Sequence, residues 1–214
     1  EPDLHEFWSG TVQDYIELYR IAATTIKNYN PYIKIGGPAI ANPMNMGFIH
    51  EFLDSVSTHN LPLDFFSYHM YYLPNPYQYK LINDYLRQVL DNYGLHDTEL
   101  VNTEWNTGIF NPNEFNEFSL DDAQNAANLV SVFHYMQDTD IELFFRYAFR
   151  NYWFGMVDDN GNLRYPGLAY KAFRELCQNS IRISAQGSDN ISKTISAAKT
   201  ENEIQILVAD NAST

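Results

Sequence analysis

A chain of 214 residues with 45% apolar content is long enough to bury a sizeable core, which excludes a disordered polymer and favours one domain, or one plus a fragment. Acidic residues outnumber basic ones by 27 to 13, and the formal charge of −14 argues against nucleic acid or an anionic membrane surface as a partner. Cys177 is the single cysteine, so no internal disulfide framework exists, and no apolar run approaches the ~20 residues of a membrane-spanning helix. The compartment stays open; a secreted or periplasmic one is favoured.

From Val12 the apolar residues fall at Tyr15, Ile16, Tyr19, Ala22, Ala23 and Ile26, the spacing of a helix with one buried face over about 11–28. Asn30-Pro31 ends it, and IKIGGPA (33–39) reads as a short strand closed by Gly-Gly-Pro. Phe48, Ile49, Phe52, Leu53 and Val56 predict a second helix, and DFFSYHMY (64–71), bounded by Pro62 and Pro74, a second strand. Ile82, Tyr85, Leu86, Val89, Leu90 and Tyr93 predict a third helix, followed by the strand ELVNTEWN (99–106). SLDD (119–122) has the form of a capping box ahead of a fourth helix through Ala123, Ala126, Ala127, Val130 and Phe133. IELFFRYAF (141–149) is the fourth strand and GLAYKAFREL (167–176) the last helix.

Strand starts near 33, 64, 99 and 141 leave room for one helix and two loops between successive strands, so the strands are expected to run parallel. An open doubly wound sheet and an eight-stranded barrel both use such units. Gly36-Gly37-Pro38 is not the glycine-rich phosphate loop of a dinucleotide-binding sheet, so the barrel is favoured and a nucleotide-dependent oxidoreductase is not. After Asn179 the rhythm turns to alternation, Ile181/Ile183/Ala185 and then Ile204/Ile206/Val208, which predicts hairpins of a second domain over 180–214.

Catalytic groups of a β/α barrel cluster at the carboxyl ends of its strands. The third strand ends Asn102-Thr103-Glu104-Trp105-Asn106, a carboxylate beside an aromatic wall; the alternative is a glutamate held by a structural arginine. On the second, His69 and Tyr71 share a face by their two-residue spacing, either as site groups or as satisfied core residues. The fourth ends in a polar and aromatic cluster of Arg146, Tyr147, Asn151, Tyr152 and Trp153. If helix 11–28 follows a strand as the others do, Glu1 lies just past the end of a preceding strand. Two strand-end glutamates, Glu1 and Glu104, in a chain with sixteen Tyr, fourteen Phe and three Trp, are the equipment of glycoside hydrolysis. That chemistry requires no cofactor, and no Cys/His cluster at ligand spacing calls for a metal.

EPDLHEFWSG, KIGGPA, DFFSYHMY and VNTEWN, in this order and spacing, resemble glycoside hydrolase family 39, the β-xylosidases and α-L-iduronidases. The resemblance covers about 1–178. It implies the C-terminal half of a (β/α)8 TIM barrel, strands five to eight over 1–179, followed by the start of a β-sandwich over 180–214. It implies a retaining hydrolase of oligo- or polysaccharides, with Glu1 of Glu1-Pro2 as acid/base and Glu104 as nucleophile. His69 and Tyr71 resemble the family's sugar-contacting His-x-Tyr, and Trp105, Asn106, Tyr147 and Trp153 are further expected substrate contacts. In RYAFRN, Tyr147 stands where the xylosidases carry Trp and no Glu follows, which argues against xylose. The partner is then a carbohydrate, with a non-catalytic carbohydrate-binding barrel relative as the alternative. The chain is expected to be a cut piece lacking the N-terminal half of its own barrel, and inactive alone.

Overall fold

The computed structural model describes residues 1–71, 73, 75–107, 120–151 and 153–211. Among these the expected alternation is present: α1 (Val12–Tyr29), β1 (Gly36–Ile40), α2 (Met46–Thr58), β2 (Phe65–Tyr71), α3 (Tyr77–Asn92), β3 (Glu99–Asn106), α4 (Ala123–Met136), β4 (Ile141–Arg146) and α5 (Tyr165–Cys177). Three strands follow, β5 (Ile181–Ile183), β6 (Lys193–Lys199) and β7 (Ile204–Asp210). The first four strands form one sheet in the order β1-β2-β3-β4, with β1 and β2 paired in parallel. The protein is therefore of the α/β class. Two compact units divide the chain, one of Glu1–Met70, Ile82–Trp105 and Asp140–Phe145, the other of Tyr71–Leu81, Asn106–Thr139 and Arg146–Thr214.

In the first unit a capping box starts α1: the Thr11 hydroxyl accepts from the Asp14 N–H, and the Asp14 carboxylate accepts from the Thr11 N–H. The helix buries Ile16, Tyr19 and Ala23. Tyr19 lays its ring edge-on to Phe52 of α2 at 5.0 Å and donates its hydroxyl to the Pro62 carbonyl. β2 is buried on both faces from Phe66 to Met70, as befits an inner strand of a helix-covered sheet, and its period of two is masked accordingly. Gly36 begins β1 because a Cβ there would lie 2.1 Å from the Phe65 carbonyl oxygen. β1 breaks register between Pro38 and Ile40, where Ala39 takes a left-handed φ of 55° and its N–H donates to the Ser67 hydroxyl. Asp64 closes the far end of β2, accepting from the Ile35 N–H and pairing with Lys27 at 2.8 Å. Burial alone would push its carboxyl up, but these partners outweigh it and hold it below the usual range.

In the second unit Asp122 caps α4, its side chain accepting from the Asn125 N–H; Ser119 of the expected box lies outside the described residues. Phe133 packs against Tyr170 and Phe173 of α5, both at 4.8 Å. β5, β6 and β7 form an antiparallel sheet that lies on these helices through polar contacts, Ser131 with Thr194 at 3.0 Å and His134 with Ser196 at 2.8 Å. Asn179 donates to Gln205 of β7 within the second unit. The sheet is inverted relative to a simple amphipathic one. Thr194, Ser196, Ala198 and Ala209 are buried, whereas Ile204, Ile206 and Val208 are 58–64% exposed on the other face.

Candidate active site

Three elements of the first unit bring Glu1, His69 and Glu104 together. Glu1 opens a run of turns in which the Leu4 N–H donates to the Glu1 carbonyl and the Phe7 and Trp8 N–H groups to the Leu4 carbonyl. Two residues on, the Asp3 carboxylate accepts from the N–H groups of Ala41 and Asn42, just beyond β1. His69 lies in β2 with only 6% of its surface exposed, and Glu104 lies near the end of β3. His69 Nδ1 is 2.7 Å from Glu1 Oε1 and 3.9 Å from Glu104 Oε2. One carboxylate oxygen of each glutamate and one ring nitrogen of the histidine all lie within 4.8 Å of one another.

The chemistry of this triangle follows from its donors. An ionised Glu1 accepts a hydrogen bond from Nδ1–H, and a protonated Glu1 donates one to a bare Nδ1, so the same short contact serves both states of the acid. His69 is thereby held in orientation by Glu1 while it faces Glu104 at longer range. Both glutamates keep solvent access, with side-chain exposures of 20% and 37%. These three are also the described residues whose donor atoms are close enough to share a cation, although two-carboxylate glycoside chemistry requires none.

Trp105 and Asn106, both expected to touch the sugar, are buried. Trp105 has no exposed surface, and its ring stacks on Phe144 at 4.2 Å and 9°, so neither face is open to a ligand. The reason is strand geometry: neighbours in a strand point to opposite faces, and Glu104 and Trp105 are neighbours. Asn106, equally buried in the second unit, donates to the Tyr147 carbonyl at 2.6 Å and accepts from Arg146 at 3.1 Å. Its amide is an internal brace.

The second unit gathers the remaining expected residues. Phe154 packs against Tyr71 at 6.2 Å and against Tyr147 at 5.8 Å, while Tyr147 keeps 40% of its surface exposed. Trp153 is half-buried, its N–H donating to the Asn151 side chain; Tyr152 lies outside the described residues. Arg146, noted in sequence only as one of a polar cluster, organises this region. Its guanidinium donates to Asn106 and to the carbonyls of Ala148 and Phe154. Burial pushes that guanidinium down to about 10, against which nearby Tyr170, Tyr71 and Tyr79 pull upward. A cation at a strand end among tyrosines was the available signal in the sequence.

The family model described as Glycosyl hydrolases family 39 matches residues 1–169. A β-xylosidase of Caldicellulosiruptor saccharolyticus is 39% identical over 72 residues, 33% of this chain and 14% of that protein. A β-xylosidase of Geobacillus stearothermophilus is 34% identical over 79 residues, 36% of this chain and 16% of that protein. Among solved structures, a glucosidase from Croceicoccus marinus is similar with a TM-score of 0.78 at 29% identity, covering 98% of this chain and 46% of the other. A family 39 β-xylosidase from Caulobacter crescentus shares the fold, with a TM-score of 0.75 at 22% identity over 96% of this chain and 45% of the other. The chain thus spans less than half the length of these solved relatives. The family match runs through every strand of the four-stranded sheet and through Glu1, His69 and Glu104 alike. The chain belongs to glycosyl hydrolases family 39.

Proposed function

We propose that the protein is a retaining glycoside hydrolase in which Glu104 is the nucleophile and Glu1 the acid/base. One observation carries the reading: oxygens of the two carboxylates lie within 4.8 Å, with His69 between them. Retaining enzymes hold the pair at roughly 5–5.5 Å, whereas inverting ones keep about 6.5–9.5 Å to admit a water. In the first step a Glu104 oxygen bonds to the anomeric carbon as the glycosidic C–O bond breaks, and the Glu1 proton passes to the leaving oxygen. In the second, Glu1 takes a proton from water, the water oxygen bonds to the anomeric carbon, and the Glu104 ester bond breaks. His69 holds Glu1 in place through both steps. From the family resemblance Tyr71, Tyr147 and Trp153 are the proposed sugar contacts, and Trp105 fills the face of β3 opposite Glu104.

The sugar is read from the departure at Tyr147 together with relatives that act on two sugars, xylosides and, in the glucosidase, glucosides. A glucoside is the first substrate to try and a xyloside the second. The four-stranded sheet is read as the C-terminal half of a barrel. In support, its outer strand β4 leaves Leu143 and Phe145 about half exposed, as a strand awaiting a neighbour would. The apolar outer face of β7 supports reading 180–214 as the start of a β-sandwich, since Ile204, Ile206 and Val208 suit a second sheet packed over them.

Glu104→Ala in the complete gene product tests the reading with nitrophenyl glucoside and xyloside. Turnover is expected to vanish while the sugar still binds. A wild type with binding and no turnover would make the protein a carbohydrate-binding relative, and equal loss of binding in the variant would make Glu104 a structural residue.

A further inference from the structure

We propose that Asp3 is a positioning residue for Glu1, its carboxylate fixing the loop that carries the acid/base to the end of β1. The inference rests on the acid/base reading of Glu1. Residues 1–7 adopt turns, without helix or strand, and the hydrogen bonds from Leu4, Phe7 and Trp8 back to Glu1 and Leu4 stay within the segment. Such bonds set the shape of a loop but not its place. Its place comes from contacts that leave the segment, and Asp3 makes two of them. Oδ1 accepts from the Ala41 N–H at 2.8 Å and Oδ2 from the Asn42 N–H at 3.0 Å.

Those two amides stand where the sheet stops. β1 ends at Ile40 after its break in register, so the N–H groups of Ala41 and Asn42 fall outside the strand ladder and need acceptors of their own. A carboxylate with both oxygens engaged is a charge-assisted, two-point attachment to the end of β1. Glu1 is thus held twice, by His69 at its own carboxylate and by Asp3 two residues away. Without Asp3, the His69 contact remains, but the main chain that carries Glu1 loses its registration against β1. A displacement of about 1 Å in a reacting group lowers a rate by roughly 10²-fold.

The consequence is selective because Glu104 belongs to β3 and not to this loop. Attack by Glu104 does not depend on the Asp3 attachment, whereas proton delivery by Glu1 does. Loss of Asp3 should therefore impair substrates in proportion to their need for a proton. An alkyl glycoside leaves as a strong base and needs the acid; a nitrophenyl glycoside leaves without it. A residue needed only for folding would lower both rates together.

The test is kcat/KM of the complete gene product for a nitrophenyl and an alkyl glycoside of the sugar that the wild type cleaves, in Asp3→Ala, Asp3→Asn and Glu1→Ala. Asp3→Ala is expected to slow the alkyl glycoside by about 10–100-fold and the nitrophenyl glycoside at least ten times less. Asp3→Asn, which keeps one acceptor and places an amide N–H against the second donor, is expected between Asp3→Ala and wild type. Thermal unfolding reports whether each variant folds, and Asp3→Asn is read alone if Asp3→Ala does not. Equal slowing of both substrates, or of neither, while Glu1→Ala retains the split, would overturn the role of Asp3 and leave the hydrolase reading intact. A Glu1→Ala variant without the split would remove the acid/base reading, and this inference with it.

Discussion

Trp105→Ala separates a core residue from a sugar platform at the position beside Glu104. The ring has no exposed surface and stacks on Phe144 at 4.2 Å, nearly parallel. An aromatic side chain of this kind removes about 150–250 Å² from water, and a stacked pair adds roughly 0.5–1.5 kcal/mol to that burial. Truncating a buried Trp to Ala costs about 3–5 kcal/mol. For units of about 150–250 residues each kcal/mol moves the unfolding midpoint by roughly 2–4 °C, so a fall of about 6–20 °C is expected. Trp105→Phe keeps a ring against Phe144 and should recover much of this. The assay is thermal unfolding of the complete gene product followed by near-UV circular dichroism, with KM measured on the same samples below the midpoint. A midpoint that moves by less than about 2 °C together with a raised KM would refute the placement and return Trp105 to the sugar site.

Arg146→Met should lower the unfolding free energy measured by denaturant titration by about 3 kcal/mol or more, because three part-buried acceptors lose this donor at roughly 1–3 kcal/mol each. Arg146→Lys should rescue little, since a single ammonium does not span Asn106 and two carbonyls. Asp64 should make stability fall in acid: its folded carboxyl lies below the usual range, so its contribution is complete above the unfolded carboxylate value near ~3.9 and is lost as pH drops through the folded value. Asp64→Asn should be less stable than wild type at pH 7 and show a flatter acid limb in urea titrations. Ile206→Ala should cost about 2–5 kcal/mol in the complete gene product if further strands cover β7, yet almost nothing in the 214-residue chain alone, where Ile206 is 64% exposed.

The helices were legible because each presents one apolar face at helical spacing; α1, expected at about 11–28, spans Val12–Tyr29. α3 begins at Tyr77 rather than near Ile82, and the overlooked signal was Asn75-Pro76, whose asparagine side chain accepts from the Tyr77 N–H. β1 starts at Gly36 rather than Ile33, because Lys34 turns outward to pair with Glu99 and Ile33 stays exposed. β6 went unread: in KTISAAK, threonine, serine and alanine face the helices and an isoleucine faces away, so alternation carries no usable contrast. Within the candidate site, His69 and Glu104 were legible as residues near the ends of their strands, and the structure brings Glu1 to them from a run of turns. The period of two already forbade Glu104 and Trp105 from sharing a wall. The attachments of Asp3 were not legible at all, since they join a side chain to main-chain amides 38 and 39 residues away.

Trapping the covalent intermediate tests most directly that Glu104 is the nucleophile. A 2-deoxy-2-fluoro glycoside with a good leaving group, incubated with the complete gene product, slows the second step more than the first, so the glycosyl–enzyme ester accumulates and its peptide can be sequenced by mass spectrometry. The expectation is one fluorosugar per molecule, attached to Glu104 within ELVNTEWN, and no label in Glu104→Gln. A label on any other carboxylate, or turnover with inversion and no trapped ester, would contradict it.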